Sequence, residues 1–260
     1  MTEIAILLDM SQCIGCRACQ MACKEWNDLP AEVTTNHGSY ENPPHLSAVT
    51  WSRIRFIETA TPDHGVAWHF INQRCLHCTD AACVKACETG ALEHNELGFV
   101  SYDPDACIGC GLCAQACPFG MPQLSETAEF PSTIKMSKCT FCQDRVTNNL
   151  MPACAKACPT GAIQFGERQP LIAQGKARAA RLKQQGYANA RLYGETEMGG
   201  LHQMYVLTDS PVALGLPENP QPRYVVQTPE LPVALGFAVA GAAIGGLVAF
   251  RARAQKKAHS

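Results

Sequence analysis

The chain has 260 residues, of which 47% are hydrophobic, and a formal net charge of −2 at pH 7. This length is enough for one or two domains with sizeable cores. No basic patch is interleaved with aromatic residues, which argues against a nucleic-acid-binding protein. The 16 cysteines would suit a disulfide scaffold only in a short secreted chain, and many lie three residues apart, too close to bridge one another. The cysteines therefore predict bound metal.

The first cysteine motif lies between a predicted strand and a predicted surface segment. Residues 4–8 form a short apolar run that predicts a strand, and no basic segment precedes it, unlike in a signal peptide. The first quartet, with the spacing C-x2-C-x2-C-x3-C, is Cys13, Cys16, Cys19 and Cys23. Residues 19–26 predict a helix. Residues 27–64 contain several prolines and predict a surface excursion with one strand over 51–58, where apolar residues alternate.

The third of the four cysteine quartets is the most specific motif in the chain. The second quartet is Cys75, Cys78, Cys83 and Cys87, and the third is Cys107, Cys110, Cys113 and Cys117. With Pro118 the third quartet reads C-x2-C-x2-C-x3-C-P, the run of bacterial ferredoxins, whose fourth cysteine ligates a neighbouring cluster. Three thiolates within seven residues hold three corners of a four-iron cube only if the backbone curls around it, which Gly109 and Gly111 permit. A short strand pair is expected around Asn95.

The fourth quartet completes the cysteine count and precedes a predicted helix. It consists of Cys139, Cys142, Cys154 and Cys158, so that four quartets use all 16 cysteines. Residues 169–192 predict an amphipathic helix. Four of its basic residues, Lys176, Arg178, Arg181 and Lys183, are expected on a solvated face rather than in a binding patch. Residues 204–207 predict a strand, and residues 211–232, with six prolines, predict an extended linker.

The C-terminal region has the pattern of a membrane span. Residues 231–250 carry no charge, which matches the ~20 residues needed to cross a ~30 Å hydrocarbon core; the alternative is a helix buried in a soluble core. Gly241 and Gly245 are spaced by four and would let another helix approach closely. Basic residues in the tail at 251–260 would stay in the cytoplasm by the positive-inside rule, which places the cysteine-rich part in a bacterial periplasm although no signal peptide is present.

The spacing leaves the pairing of the quartets and the identity of the metal open. By gap length, the third quartet is able to exchange its last cysteine with either the second or the fourth. If the first and fourth quartets pair with each other, the second and third lie between them in the chain and pair with each other. The fourth quartet alone fits a four-thiolate zinc site. Zinc sites usually draw two separated cysteine pairs onto one ion, however, whereas three thiolates in seven residues suit a cube.

The histidines and acidic residues predict no catalytic site. His77 lies within a quartet that already has four thiolates, so we expect a hydrogen-bond donor to the cluster or a surface residue rather than a ligand. His202 and His259 are expected to be incidental rather than haem ligands. No acid–base pair or nucleophile constellation is recognisable, and electron transfer is the predicted activity.

Six segments of the sequence resemble one family over nearly the whole chain. They are Cys13–Asp28, Glu41–Ser47, Lys138–Val146, Cys158–Gly166, Met204–Leu207 and Gly215–Pro220. The family is the iron–sulfur β subunit of membrane-bound respiratory formate dehydrogenase, of the formate dehydrogenase-N type. The cysteine motifs are shared with all four-cluster subunits of molybdopterin oxidoreductases, whereas Glu-Trp-Asn-Asp at 25–28 and Gly-Leu-Pro at 215–217 favour formate dehydrogenase. The chain departs from that family in a shorter N-terminus and in a basic tail in place of an acidic one.

The resemblance implies an α+β fold in which two ferredoxin-like modules hold four 4Fe-4S clusters, with a C-terminal single transmembrane helix. The implied parts are a first module of residues 1–64 with 126–168, an inserted second module of 65–125, a helix, strand and Pro-rich linker over 169–230, the transmembrane helix at 231–250 and the basic tail at 251–260. The first module would carry the first and fourth quartets, and the second module the other two.

The resemblance also implies a ligand set for each cluster, in which every quartet gives its last cysteine to another quartet. The sets are Cys13, Cys16, Cys19 with Cys158; Cys139, Cys142, Cys154 with Cys23; Cys75, Cys78, Cys83 with Cys117; and Cys107, Cys110, Cys113 with Cys87. We name each set by its first cysteine, as the Cys13, Cys139, Cys75 and Cys107 sets.

The activity implied by the resemblance is electron transfer within a larger complex. The chain would pass electrons from a molybdenum- or tungsten-pterin catalytic α subunit to a cytochrome b-type γ subunit and quinone, with no substrate of its own. The complex would be exported folded on the α subunit's twin-arginine signal, which explains a periplasmic cluster domain without a signal peptide. The chain would then be a single-pass protein of the inner membrane, with its C-terminus in the cytoplasm.

Two other functions fit parts of the sequence. One is the equivalent subunit of another molybdopterin oxidoreductase, of the polysulfide, tetrathionate or nitrate type. The nitrate type is disfavoured because one of its clusters lacks a cysteine, whereas all 16 are present here. The other is a zinc-binding structural protein.

Overall fold

A computed structural model describes residues 2–61, 64–125 and 134–223 of the chain. The strands are β1 Ile4–Asp9, β2 Ser52–Ala60, β3 Val66–Arg74, β4 Leu92–His94, β5 Val100–Tyr102, β6 Gln123–Leu124, β7 Met136–Ser137, β8 Ile163–Glu167, β9 Arg191–Tyr193 and β10 Gln203–Leu207. The helices are α1 Ala18–Trp26, α2 Ala82–Lys85, α3 Leu112–Ala116, α4 Gln143–Val146, α5 Ala153–Lys156 and α6 Arg168–Gln184. This mixture of short helices and strands agrees with the expected α+β class.

A four-stranded sheet brings together the two ends of the described chain. Its order is β8-β1-β10-β9, with β1 parallel to β10 and the other two pairs antiparallel. Every residue of β1 after Ile4 is buried, because α6 covers one face and the cysteine-rich core covers the other. A strand buried on both faces reads as a continuous apolar run. The strands predicted at 4–8 and 204–207 are therefore confirmed, and they are neighbours.

Helix α6 packs on one face of this sheet and is shorter than predicted. Its apolar residues lie against Ala5 and Leu7 of β1, but the helix ends at Gln184 instead of continuing to 192. Gly186 has φ +100°, and a glycine in this conformation commonly ends a helix. Leu192 lies instead in β9.

The solvated face expected for the basic residues of α6 is only partly correct. Lys176 is exposed and pairs with Glu195 at 2.9 Å. Arg178 turns back towards the sheet, where its Nε lies 2.7 Å from Oδ2 of the buried Asp9. This residue therefore ties the helix to the end of β1.

The β2–β3 hairpin contains a strand that the sequence analysis did not predict. Strand β3 pairs with β2 along its whole length, from Ser52 opposite Arg74 to Ala60 opposite Val66. The hairpin crosses the expected module boundary between residues 64 and 65. The division into modules 1–64 with 126–168 and 65–125 itself stays a prediction. The short strand pair expected around Asn95 is present as β4 and β5.

The expectation of an extended linker over 211–232 is wrong for its described part. Leu214 is fully buried, and the hydroxyl of Tyr193 donates to the carbonyl oxygen of Pro217 at 2.7 Å. These contacts hold residues 211–223 on the core. The rest of that segment, the span expected at 231–250, the basic tail and His259 lie outside the described residues. No helix within 2–61, 64–125 and 134–223 is long and apolar enough to span a membrane.

Candidate metal centres

The four cysteine motifs share one backbone feature. The residue just before the second cysteine lies in the left-handed region in each motif, with φ +66° at Gly15, +48° at His77, +71° at Gly109 and +62° at Phe141. Glycine adopts this conformation freely, whereas other residues are strained there by about 1–3 kcal/mol and need support from their surroundings. The spacing C-x2-C therefore produces the same tight curl four times.

Short helices carry the later cysteines of each motif. Helix α1 follows the left-handed Arg17 and bears Cys19 and Cys23, whose spacing of four places them on one helix face. Cys83, Cys113 and Cys154 lie on α2, α3 and α5 in the same way. Each motif is thus a curl followed by a helical turn, which lets its last cysteine reach a neighbouring group.

Two of the four implied sets each line a single pocket. All members of the Cys13 set border one pocket, together with Leu8 and Ile54. All members of the Cys107 set border another, together with Tyr102 and Met136. The structure thus places Cys158 with the first quartet and Cys87 with the third.

The other two sets are gathered deeper in the protein. Burial and then the nearby thiols of Cys75, Cys117 and Cys83 raise the pKa of Cys78. In the Cys139 set, burial and then the thiols of Cys139, Cys154 and Cys142 raise the pKa of Cys23. The structure therefore brings the 16 cysteines together in the same four groups that the resemblance implies. Their ligation of clusters stays a prediction.

The four sets form a row in the sense that each set is close enough to the next for their thiols to interact electrostatically. In addition to burial, the charge of Cys154 raises the pKa of Cys19, which belongs to the Cys13 set. In the same way Cys75 raises the pKa of Cys139, and Cys113 raises that of Cys83 in the Cys75 set. The order is therefore the Cys13, Cys139, Cys75 and Cys107 sets. Each end set has one exposed cysteine, Cys16 and Cys110 respectively, whereas the two inner sets have none.

The thiols themselves favour binding to a cationic group. All 16 cysteines are described and free. Burial raises the pKa of Cys19 and of Cys142 to about 12, despite the nearby Arg74 guanidinium. Such thiols become thiolates only when a cation compensates for the lost solvation, which a metal centre does. Within the described residues, no three His, Cys, Asp or Glu side chains are placed to hold a single metal ion.

Two buried cations fit anionic groups at these sites. Arg74 and Lys138 are almost completely buried, yet in the described part of the chain neither has a carboxylate within ion-pair distance. A buried charge is costly unless an opposite charge lies near it. Clusters that carry about two negative charges each with their thiolates would supply that charge.

The side chain of His77 also fits a bound cluster. Its ring is fully buried, so the expectation of a surface residue is wrong. Its Nδ1 accepts from the Val100 amide at 3.2 Å, and its Nε2 has no partner. Burial, followed by the charge of Lys138, holds the pKa of His77 well below its usual range, so the ring is neutral with its proton on Nε2. His77 lies between Cys75 and Cys78 in the chain, and a buried donor without an acceptor there fits the sulfur of a bound cluster as its acceptor.

His202 has a structural role. Its Nδ1 lies 2.7 Å from the Ile4 carbonyl oxygen, and its ring fills the space where Gly98 has no Cβ. The expectation that it is not a haem ligand stays a prediction. Sequence reasoning did not identify Asn72, whose side-chain amide donates to Cys19 Sγ at 3.1 Å. It also did not identify Arg74 and Lys138, each of which directly precedes the first cysteine of a motif.

Comparisons with known proteins find 4Fe-4S domains and relatives that are iron–sulfur subunits. Two family profiles, both described as a 4Fe-4S dicluster domain, match residues 12–91 and 66–168. The chain is 45% identical over 223 residues to the formate dehydrogenase-O iron-sulfur subunit of Escherichia coli K12, covering 84% of this chain and 72% of that one. It is 43% identical over 224 residues to the formate dehydrogenase iron-sulfur subunit of Haemophilus influenzae, covering 84% and 70%. It is also 37% identical over 171 residues to the B subunit of the anaerobic dimethyl sulfoxide reductase of E. coli K12, covering 64% and 74%.

Proposed function

The chain belongs to the family of formate dehydrogenase iron–sulfur subunits, and from that premise we propose that it is the electron-transfer subunit of a respiratory formate dehydrogenase. Electrons enter from a molybdenum- or tungsten-pterin catalytic subunit and leave to a cytochrome b-type membrane subunit and quinone. The observation that carries this proposal is the row of four cysteine sets with an exposed cysteine at each end. Such a row would carry electrons between one partner docked near Cys16 and another docked near Cys110.

Four 4Fe-4S clusters would be held by the Cys13, Cys139, Cys75 and Cys107 sets. When bound, each cluster takes up and releases one electron. The protein contributes its burial of the thiols, the hydrogen bond from Asn72 to Cys19 Sγ and the unpaired donor of His77. Hydrogen bonds to the sulfurs and exclusion of solvent are the means by which a protein tunes such clusters. We expect no catalytic residue in this chain, since the reaction on formate would take place in the partner.

The membrane attachment is part of the same proposal and rests on the sequence. Residues 231–250 are uncharged and of sufficient length to cross a bilayer. Gly241 and Gly245 would form the face that packs on a helix of the membrane subunit. The tail at 251–260 would lie in the cytoplasm and the cluster domain in the periplasm of the inner membrane.

A second candidate is the equivalent subunit of another molybdopterin oxidoreductase. The 37% identity to the B subunit of the anaerobic dimethyl sulfoxide reductase supports it, because the cysteine motifs of the two kinds of subunit are shared. The substrate is decided on a different subunit, so the two candidates differ in their catalytic partner rather than in the cysteine sets.

Anaerobic purification of the affinity-tagged chain from its native host distinguishes these candidates. We expect a large pterin-containing subunit to co-purify, and we expect added formate to bleach the broad cluster absorbance at about 400 nm. Bleaching by formate supports the first candidate. A co-purifying subunit that leaves the absorbance unchanged with formate, but reoxidises dithionite-reduced clusters with dimethyl sulfoxide, would support the second candidate instead.

A further inference from the structure

Arg74 is a buried cation placed on one of the inner cysteine sets. It is the last residue of β3, and its Nη1 donates to Cys154 Sγ at 2.7 Å. Its Nη2 donates to the side-chain oxygen of Gln203 on β10. Neither partner is a carboxylate, and the guanidinium stays protonated under all ordinary conditions. The full positive charge of Arg74 therefore acts on the Cys139 set.

Lys138 occupies the equivalent position beside the other inner set. Its Nζ donates to the carbonyl oxygens of Val100 at 2.9 Å and Cys139 at 3.1 Å. Its charge acts on the thiols of Cys75 and Cys83, where it opposes the effect of burial. The Val100 amide in turn donates to His77 Nδ1 at 3.2 Å, and His77 lies between Cys75 and Cys78 in the chain. These contacts hold the ammonium of Lys138 beside the Cys75 set.

The two cations are also equivalent in sequence. Arg74 directly precedes Cys75, and Lys138 directly precedes Cys139, so each is bonded to one inner motif. In the two outer motifs the same position is taken by the uncharged residues Gln12 and Ala106. A buried cation directly before the first cysteine therefore distinguishes the two inner motifs from the two outer ones.

We propose that Arg74 and Lys138 set the reduction potentials of the two inner clusters, Arg74 chiefly that of the Cys139 set and Lys138 chiefly that of the Cys75 set. This inference rests on the proposed function, because it requires clusters in these sets. Reduction adds one electron, so the charge of a cluster with its four thiolates changes from about −2 to about −3. A cation a few ångströms away in a poorly solvated interior stabilises the more negative form. Each cation therefore raises the potential of its cluster.

The test is a redox titration of the intact anaerobic complex, followed by electron paramagnetic resonance. Signals are assigned beforehand with Cys142→Ser for the Cys139 set and Cys78→Ser for the Cys75 set. Arg74→Met should lower the potential of the Cys139-set cluster by at least 59 mV, a tenfold change in its oxidised-to-reduced ratio for a one-electron couple. Lys138→Met should do the same chiefly for the Cys75 set. Neither substitution should shift the potential of the more distant outer cluster by a comparable amount. That cluster belongs to the Cys107 set for Arg74→Met and to the Cys13 set for Lys138→Met.

A control is Lys176→Met, which removes a lysine that is exposed on α6, pairs with Glu195 at 2.9 Å and has its charge screened by solvent. It should leave all four potentials unchanged. If Arg74→Met prevents cluster assembly, Arg74→Lys is measured as well. This variant keeps the charge but loses the two donor nitrogens of the guanidinium, so a small downward shift of the Cys139-set potential is expected. Unchanged potentials in Lys138→Met and Arg74→Met would overturn the inference, and where Arg74→Met does not assemble, an unchanged Cys75-set potential in Lys138→Met would do so. A wild-type complex without four clusters would instead overturn the proposed function.

Discussion

The rings of His77 and Phe141 meet edge to face with their centroids 4.9 Å apart. The two residues hold equivalent positions in the second and fourth cysteine motifs, and both lie in the left-handed region. The outer motifs have glycine at this position. In the two inner motifs, the packed contact between these rings thus offsets the backbone strain. Phe99 extends the contact by stacking on Phe141, with ring centroids 5.2 Å apart.

This contact predicts that Phe141 stabilises the junction of the inner motifs. Phe141→Ala removes a fully buried ring and should cost about 3–5 kcal/mol of folding stability. Ile108→Ala is the matched control, because Ile108 also lies between the first two cysteines of a motif but is 65% exposed. It should change stability by about 0.5 kcal/mol or less. Anaerobic thermal unfolding of the purified complex measures both, and equal effects of the two substitutions would contradict this role of Phe141.

The left-handed glycines provide a second prediction. A Cβ on Gly109 would lie 2.2 Å from the Ile134 carbonyl oxygen, whereas a Cβ on Gly120 would meet nothing within 4 Å. Both have positive φ, so both alanine substitutions should cost about 1–2 kcal/mol of backbone strain. Gly109→Ala should in addition displace the third motif and remove the Cys107-set cluster, while Gly120→Ala should keep it. Iron analysis and the resonance signal of that cluster check this, and full cluster content in Gly109→Ala would show that the motif tolerates the displacement.

The sequence predicted those elements whose packing follows from a simple apolar pattern. Strands β1 and β10 are buried on both faces, and α1 directly continues a cysteine motif, so all three were recognisable. Strand β3 was missed because its buried positions include His69, Asn72 and Arg74. Their partners are thiols and hydrogen-bonding groups from distant parts of the chain, which no local alternation of apolar residues reveals.

The candidate site was predictable in its cysteines but not in the groups that surround them. The motif spacing left the exchange of cysteines open, and only the resemblance suggested one scheme. Arg74 and Lys138 had a visible signal, since a basic residue precedes the first cysteine in two motifs. Their importance depends on burial without a carboxylate partner, which is a property of the folded chain.

Metal analysis of the purified chain tests the identity of the bound metal. Four complete sets of thiolates predict about sixteen irons and an equal number of acid-labile sulfides, with no stoichiometric zinc. The measurement is atomic emission together with sulfide determination on anaerobically prepared protein. Colourless protein with about four zinc ions would establish the zinc alternative in place of the iron–sulfur one.

The pairing of the second and third quartets predicts reciprocal effects of two substitutions. Cys117 lies with Cys75, Cys78 and Cys83, so Cys117→Ser should damage the Cys75-set cluster and spare the Cys107-set cluster. Cys87→Ser should have the opposite effect, since Cys87 borders the pocket of the Cys107 set. Paramagnetic resonance of the reduced variants distinguishes the two clusters. The uncrossed pairing would be established by loss of the Cys107-set signal alone in Cys117→Ser.

The last prediction concerns the side of the membrane on which the C-terminal tail lies. Four basic residues, Arg251, Arg253, Lys256 and Lys257, follow the uncharged segment 231–250 directly. Positive charges close to a span are retained in the cytoplasm. An epitope tag added after Ser260 should therefore be removed by trypsin from inverted vesicles and retained in sealed spheroplasts. Detergent-opened spheroplasts are the control and should lose the tag. Loss of the tag from sealed spheroplasts would place the tail in the periplasm and reverse the proposed orientation.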